Sequence, residues 1–297
     1  MIKNFIKKMP AVEFLMDASL KRYNTYRLDV IAKYLVFPNT KEEFRDIIKF
    51  VKEHNVKHLV LGNGSNVILA CDYFDGVVIL LNKLNKYKID YDMVVVDAGC
   101  SLQKLALEVS NLGLEGLEFA TGIPGLVGAS IAMNAGAYNS SLSEVVDSVL
   151  VLNDSFEFVV MENSELDFDY RSSVFKKKKN LYVVSAKIKL VKGDKVDLLE
   201  KISKRRVKRL ETQPLDMPSA GSVFRNPEGM YAGELIEKCG LKGSCVNDAL
   251  VSCKHANFIV NNGKARGEDI VRLINKIKRE VNDEFGVDLV LEQIIID

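Results

Sequence analysis

The stretch TGIPGLVGASIAMNAGAYNS, Thr121 to Ser140, decides how the chain is read. Gly122, Gly125, Gly128, Ala129, Ala132, Ala135, Gly136 and Ala137 leave almost no side-chain bulk on several of its faces. Backbone without β-carbons can lie directly against a large flat molecule or a diphosphate. Close packing of a helix on a sheet is the alternative, and it accounts for two or three of these positions. The density of small residues therefore favours a ligand.

A second glycine-rich place lies upstream. LGNGSN, Leu61 to Asn66, follows a short apolar run that reads as a buried strand. Its glycines permit a sharp turn that brings amide N–H groups near an anion, and Ser65 and Asn66 add donors. A tight turn with no ligand explains the same residues about as well. No Gly-Lys-Ser/Thr follows, so it is not a P-loop, and the spacing does not fit the G-x-G-x-x-G dinucleotide fingerprint.

Around these loops the periodicity alternates between helix and strand. Thr40 and Glu43 form a capping-box pattern ahead of Phe44, Ile47, Ile48 and Val51 at helical spacing. Gly76–Leu80 and Met93–Gly99 read as strands, followed by an amphipathic helix near Leu102–Leu112. VDSVLVLN, EFVVMEN and LYVVSAKIKLV read as further strands, and KKKKN at Lys176–Asn180 as a solvated turn. A basic helix spans about Leu198–Glu211, and Pro214 and Pro218 punctuate the segment after it. The remainder offers a helix near Tyr231–Cys239, a strand at NFIVN, a helix over Glu268–Phe285 and a closing strand, LVLEQIII. Ile270, Ile274, Ile277 and Val281 form the buried stripe of that last helix.

Composition narrows the class. At 297 residues the chain is long enough for two or three folded units. With 47% hydrophobic and 27% charged residues it is an ordinary globular sequence. Lys+Arg at 41 against Asp+Glu at 40 argues against general binding to nucleic acid or an anionic membrane. No apolar run suggests a membrane span, and the opening MIKNFIKKMPAVEF lacks the apolar core of a signal peptide. The five cysteines form no C-x-x-C pair and the three histidines lack ligand spacing. Neither zinc nor disulfides are expected, and a reducing, cytoplasmic setting is.

A third place is PSAGSVFRNP, Pro218 to Pro227, with Ser222 between a glycine and an apolar pair. AGSVF is not the G-x-S-x-G nucleophile elbow, and no histidine–acid pair is evident near it. In isolation it is a turn with an unexplained serine.

Taken in order, NTYR, LGNGSN, GLEGLEFATGIPGLVGASIAMNAGAY, DYRSSVF, QPLDMPSAGSVFRNPEG, AGELIEKCGLKG, VSCKHANFIVN and FGVDLVLEQII resemble the UDP-N-acetylenolpyruvoylglucosamine reductase family. The likeness runs from about Asn24 to the end and is closest to the shorter, second type, which lacks an inserted tyrosine-bearing loop. It implies an α+β protein: a vanillyl-alcohol-oxidase-type FAD-binding region of two α/β subdomains plus a C-terminal α/β substrate-binding domain. The expected bounds are 1–70 and 71–205 for the subdomains and 206–297 for the last domain, whose final strand has the option of returning to the FAD region.

The resemblance further implies non-covalent FAD, with Gly62, Asn63, Gly64, Ser65 and Asn66 on one side of it. Gly122, Gly125, Gly128, Ala129, Asn134, Gly136 and Ala137 supply the other side, and Arg209 a phosphate contact. NADPH is the implied co-substrate and a UDP-sugar enolpyruvate the implied substrate, contacted by Tyr170, Asn226 and His255. A satisfied structural histidine is the alternative for His255. No metal is expected, and the protein is expected to be a monomer. Many members read NTFRIGGPA where this chain reads NTYRLDVIA, so Asp29 and Val30 stand in place of two glycines near the expected flavin.

The implied reaction reduces a vinyl ether, leaving enolate-like charge that needs a cation, a hydrogen-bond donor and a proton source. Arg171 suits the first as a permanent, two-pronged charge. Glu292, in an apolar run that would raise its pKa, suits the second when protonated. Ser222 suits the third, because an enolate is basic enough to take a serine proton. On the residues alone, Arg171 reads as a surface ion pair with Asp167 or Asp169, and Glu292 as an outward-facing strand residue. A flavin-dependent oxidase of a small alcohol or sugar lactone is the competing enzyme reading. A non-catalytic nucleotide-sugar module is the third, and it predicts a colourless protein.

Overall fold

The computed structural model describes residues 2–6 and 9–297. Met1, Lys7 and Lys8, part of the opening stretch read above, lie outside the described residues. The chain divides into two compact units. One comprises Met1–Met16, Tyr34–Asn63 and Gly76–Arg206, and the other Asp17–Lys33, Gly64–Asp75 and Val207–Asp297.

In the first unit the helix Lys41–Glu53 begins as its sequence predicts. Thr40 Oγ1 accepts from the Glu43 N–H at 3.1 Å while the Glu43 carboxylate accepts from the Thr40 N–H at 3.3 Å. Both otherwise orphaned donors are thereby satisfied. Phe44, Ile47, Ile48 and Val51 are buried as one stripe, each contributing about 1.5–3 kcal/mol of apolar burial. The strand His58–Leu61 then runs parallel to Val77–Leu80. It is half-buried until Leu61, rather than buried throughout as expected.

A five-stranded antiparallel sheet follows, in the order Phe158–Glu162, Val146–Leu152, Tyr182–Lys189, Met93–Asp97, Tyr87–Asp90. The helix Leu102–Asn111, capped by Ser101 on the Lys104 N–H at 3.3 Å, buries Leu102, Leu105, Ala106 and Val109 in the same core. The predicted turn KKKKN is shorter than expected. Lys176 and Lys177 finish a helix, Val174–Lys177, begun by Ser173 Oγ accepting from the Phe175 N–H.

In the second unit the helix Gly267–Phe285 buries Ile270, Leu273, Ile274, Ile277 and Val281. It ends at Gly286, whose φ of 66° is the left-handed conformation that glycine adopts without strain. A sheet of Cys245–Val246, Ala249–Val251 and Ile259–Asn261 accompanies it.

The closing strand differs from its reading. Only Ile294–Ile296 is strand, parallel to Val67–Leu69. Before it the chain bonds elsewhere: Val290 O accepts from the Arg225 N–H and the Glu292 N–H donates to Val223 O, each at 2.9 Å. The chain changes partners between Glu292 and Ile294, which periodicity alone does not reveal.

Asp29 and Val30 are accommodated without left-handed backbone; Arg27, at φ 57°, takes that conformation instead. Asp29 is exposed and accepts from Ser19 Oγ, while Val30 is buried and its carbonyl accepts from the Leu20 N–H at 2.7 Å. Buried Asn24 closes the turn, with Nδ2 on the carbonyls of Leu20 and Leu28 and Oδ1 on the Leu28 N–H.

Candidate active site

The first glycine loop is shaped by contact with its own chain. Gly64 has φ +60°, and a β-carbon there would lie 2.3 Å from Tyr23 O. Gly62 meets the second glycine-rich segment, where its β-carbon would be 2.8 Å from the Ala129 Cβ. Asn63 Nδ2 donates to Pro124 O at 2.7 Å, tying the same two segments together.

In the second segment the short helix Val127–Ala132 lies close against Ala98. The Gly128 N–H donates to Ala98 O at 2.9 Å, and a β-carbon on Gly128 would sit 2.6 Å from that of Ala98. Gly125 faces Ser130 Oγ and Gly136 faces Ser140 O, each 2.4 Å from where a β-carbon would be. Protein packing therefore explains more of these glycines than the sequence reading allowed. The same packing leaves donors free: among the described residues, the N–H groups of Asn63, Gly64 and Ser65 reach no protein acceptor. Unspent amides on a glycine turn fit an anionic group such as a diphosphate. Of the other expected cofactor residues, Ala129 is exposed, and Gly122 and Ala137 are half-buried. Asn66 fixes the carbonyl of Glu292 through Nδ2 at 3.3 Å.

Asn134 is a buried connector at φ 43°. Its Nδ2 donates to Asp169 O and its Oδ1 accepts from the Ser143 N–H, both at 3.0 Å. This places the hairpin bearing Arg171, closed by reciprocal Asp169–Ser172 backbone bonds. Arg171, at φ 52°, donates through Nη2 to Gly136 O at 2.6 Å and lies 5.2 Å from the centre of the Tyr170 ring. Asp167, offered by the sequence as its surface partner, pairs with Lys177, and Asp169 Oδ1 accepts from the Tyr170 N–H. Tyr170 is half exposed. Arg209, on the helix Lys195–Thr212, donates through Nε to Gln213 Oε1 at 3.0 Å.

Arg171 belongs to the first unit, Ser222 and Glu292 to the second. The structure brings the latter two motifs side by side. Phe224 and Leu291 form an isolated antiparallel bridge, flanked by the Glu292–Val223 and Arg225–Val290 bonds. Ser222 and Glu292 are both half-buried. Ser222 follows Gly221 at φ 76° and precedes the fully buried Val223 and Phe224. Its Oγ has no hydrogen-bond partner among the described residues, so no histidine base engages it as a nucleophile would require.

Asn226 accepts from the Ala232 N–H at 3.1 Å, at the start of the helix Ala232–Lys238. His255 accepts at Nδ1 from the Asn257 N–H at 3.2 Å, and its ring lies 4.8 Å from that of Phe258. Burial, aided by the charge of Lys242, holds its pKa below the ordinary histidine value.

Several supporting residues escaped the sequence reading. Asn257 brackets Phe224, and Gln293 reaches from the neighbouring segment to the Ser222 turn. The one signal for Gln293 was a second polar residue beside Glu292 in an apolar run.

The chain is similar to known proteins along nearly its whole length. A family model described as UDP-N-acetylenolpyruvoylglucosamine reductase, C-terminal domain, matches residues 213–296, and one described as FAD binding domain matches residues 32–159. The UDP-N-acetylenolpyruvoylglucosamine reductase of Clostridium novyi is 41% identical over 93% of this chain and 90% of its own length. That of Caldicellulosiruptor saccharolyticus is 39% identical over 93% and 89%. The crystal structure of the Thermus caldophilus reductase superposes with a TM-score of 0.81 at 34% identity, covering 96% of this chain and 99% of the other. FAD is the cofactor, on an α+β fold with a separate C-terminal domain. With that likeness along nearly its whole length, the chain belongs to the UDP-N-acetylenolpyruvoylglucosamine reductase family.

Proposed function

We propose that this protein reduces the enolpyruvyl group of UDP-N-acetylglucosamine enolpyruvate to UDP-N-acetylmuramate, at the expense of NADPH, in making peptidoglycan precursor. We assign it to the cytoplasm as a monomer, with residues 1–70 and 71–205 as the two subdomains of the FAD-binding region and 206–297 as the substrate-binding domain. The observation that carries the reading is the pairing of Val223–Arg225 with Val290–Glu292, which sets Ser222 and Glu292 on adjacent segments.

Bound FAD supplies electron transfer from NADPH to the substrate's double bond. The free amides of Asn63, Gly64 and Ser65 suit its diphosphate, with Arg209 as a further phosphate contact. Gly128 holds its backbone close to Ala98 and Ala129 lies against Gly62, so the part of the second segment in cofactor binding is to shape that surface.

Arg171 provides permanent positive charge for the substrate carboxylate as it gains enolate character. Its guanidinium is aimed by Gly136 O and Tyr170. Glu292, in protonated form, donates a hydrogen bond to the enolate oxygen. Ser222 holds its proton at Oγ until the adjacent carbon carries negative charge, then gives it up. A weak acid suffices because the acceptor is strongly basic. Tyr170, Asn226 and His255 are assigned to the substrate, Asn226 and His255 doing so from positions fixed by their own backbone contacts.

The test is product formation. With NADPH and UDP-N-acetylglucosamine enolpyruvate the enzyme should convert the substrate to a product heavier by two hydrogens, with equimolar NADPH loss. NADPH loss without that product would contradict the assignment.

A further inference from the structure

Within the second unit a buried polar pair reaches the Ser222 turn. Tyr26 is fully buried and Gln293 is 3% exposed. The Tyr26 hydroxyl donates to Gln293 Oε1 at 3.0 Å, and burial keeps that phenol protonated. Gln293 Nε2 then donates to Ala220 O at 3.0 Å and Gly221 O at 3.2 Å, with Ser222 O at 3.4 Å sharing the same donors. The amide has one sensible orientation, because only its NH₂ end can face carbonyl oxygens. Tyr26 is anchored in turn by Asn261 Nδ2 on its carbonyl at 2.9 Å.

A polar pair in such a core adds little stability over an apolar pair of the same volume, since both groups must first lose water. What it adds is direction. The carbonyls it gathers belong to Ser222 and the two residues before it, where Gly221 at φ 76° would otherwise leave the turn loose. Gln293 is also bonded in sequence to Glu292, whose own N–H is held by Val223 O at 2.9 Å.

We infer that Gln293, held by Tyr26, is a positioning residue that fixes the Ala220–Ser222 turn and so aims Ser222 Oγ in register with Glu292. This rests on the reading of Ser222 as proton donor.

The test follows the two half-reactions of the flavin-loaded enzyme by stopped-flow absorbance, in H₂O and D₂O. Gln293→Leu and the isosteric Gln293→Glu should leave bleaching by NADPH within about twofold of wild type, because that step takes no proton from the Ser222 turn. Both should slow reoxidation by UDP-N-acetylglucosamine enolpyruvate by about ten- to a hundredfold, with a larger solvent isotope effect. In Gln293→Glu that rate should recover as pH falls, since the protonated carboxyl regains an O–H for the carbonyls and the ionised one repels them. A merely structural role would lower Tm and move neither the isotope effect nor the pH profile. Normal reoxidation in flavin-loaded Gln293→Leu at any pH, or in Gln293→Glu at neutral pH and above, or equal slowing of both half-reactions, would overturn the inference. Ser222→Ala is the separate arm. If it reoxidises normally, the proton-donor reading itself fails; if it is slow while Gln293→Leu is normal, only the positioning role fails.

Discussion

Asn257 closes on Phe224 with both ends of its carboxamide: Nδ2 donates to Phe224 O at 2.8 Å and Oδ1 accepts from the Phe224 N–H at 2.9 Å. A side chain thus replaces a missing strand neighbour, and the Asn257 carbonyl takes the Val223 N–H at 2.9 Å as well. Asn257→Ala strands a buried donor and acceptor on Phe224. It should cost about 2–3 kcal/mol in denaturant unfolding and lower turnover with substrate. A stability loss within error would show that the bracket is replaceable by water.

His58 should contribute a pH-dependent part of stability. Its Nδ1 lies 3.0 Å from Val56 O and its Nε2 3.2 Å from the Tyr182 hydroxyl. Burial lowers its pKa from the ordinary 6.5, with repulsion from Lys52 adding to the effect. Because the folded pKa lies below the unfolded one, the unfolded chain binds more protons between the two. The contribution is complete above the unfolded pKa of 6.5 and is lost as pH falls through the folded value. His255 acts in the same direction. Tm should therefore decline on acidification from neutrality, and less steeply in His58→Asn; parallel profiles would refute the assignment.

Gly128 should be intolerant of a methyl group. Its β-carbon would meet the Ala98 Cβ at 2.6 Å and Ala98 O at 3.3 Å, in a place where backbone bonds backbone. Gly128→Ala should cost about 1–3 kcal/mol by overpacking and weaken FAD binding, read by fluorescence titration of the deflavinated enzyme, by about tenfold. Gly229→Ala is the control: its φ of 68° makes the alanine somewhat strained, but nothing lies within 4 Å of its β-carbon position, so FAD binding should not change.

The contrast between these glycines marks what the sequence made legible. Local signals were reliable: the Thr40–Glu43 box forms with both of its bonds, and the Ile270–Val281 stripe is buried as its spacing predicts. Long-range partners were not. Nothing in GIPGLVG says that Gly128 faces Ala98, and nothing in LVLEQIII says that its first half bonds to Val223 and Arg225 while its second half joins Val67–Leu69. The candidate site divides likewise. Ser222, Glu292 and Arg171 came from their motifs, whereas Gln293 and Asn257 act through contacts that join distant stretches of chain.

The most direct measurement is the anaerobic visible spectrum of the purified holoenzyme during a two-step titration. A yellow protein bleached by NADPH is expected, whose oxidised spectrum returns on adding UDP-N-acetylglucosamine enolpyruvate, and returns far more slowly in Ser222→Ala. A colourless protein, or reduced flavin restored by oxygen but not by that substrate, would contradict it.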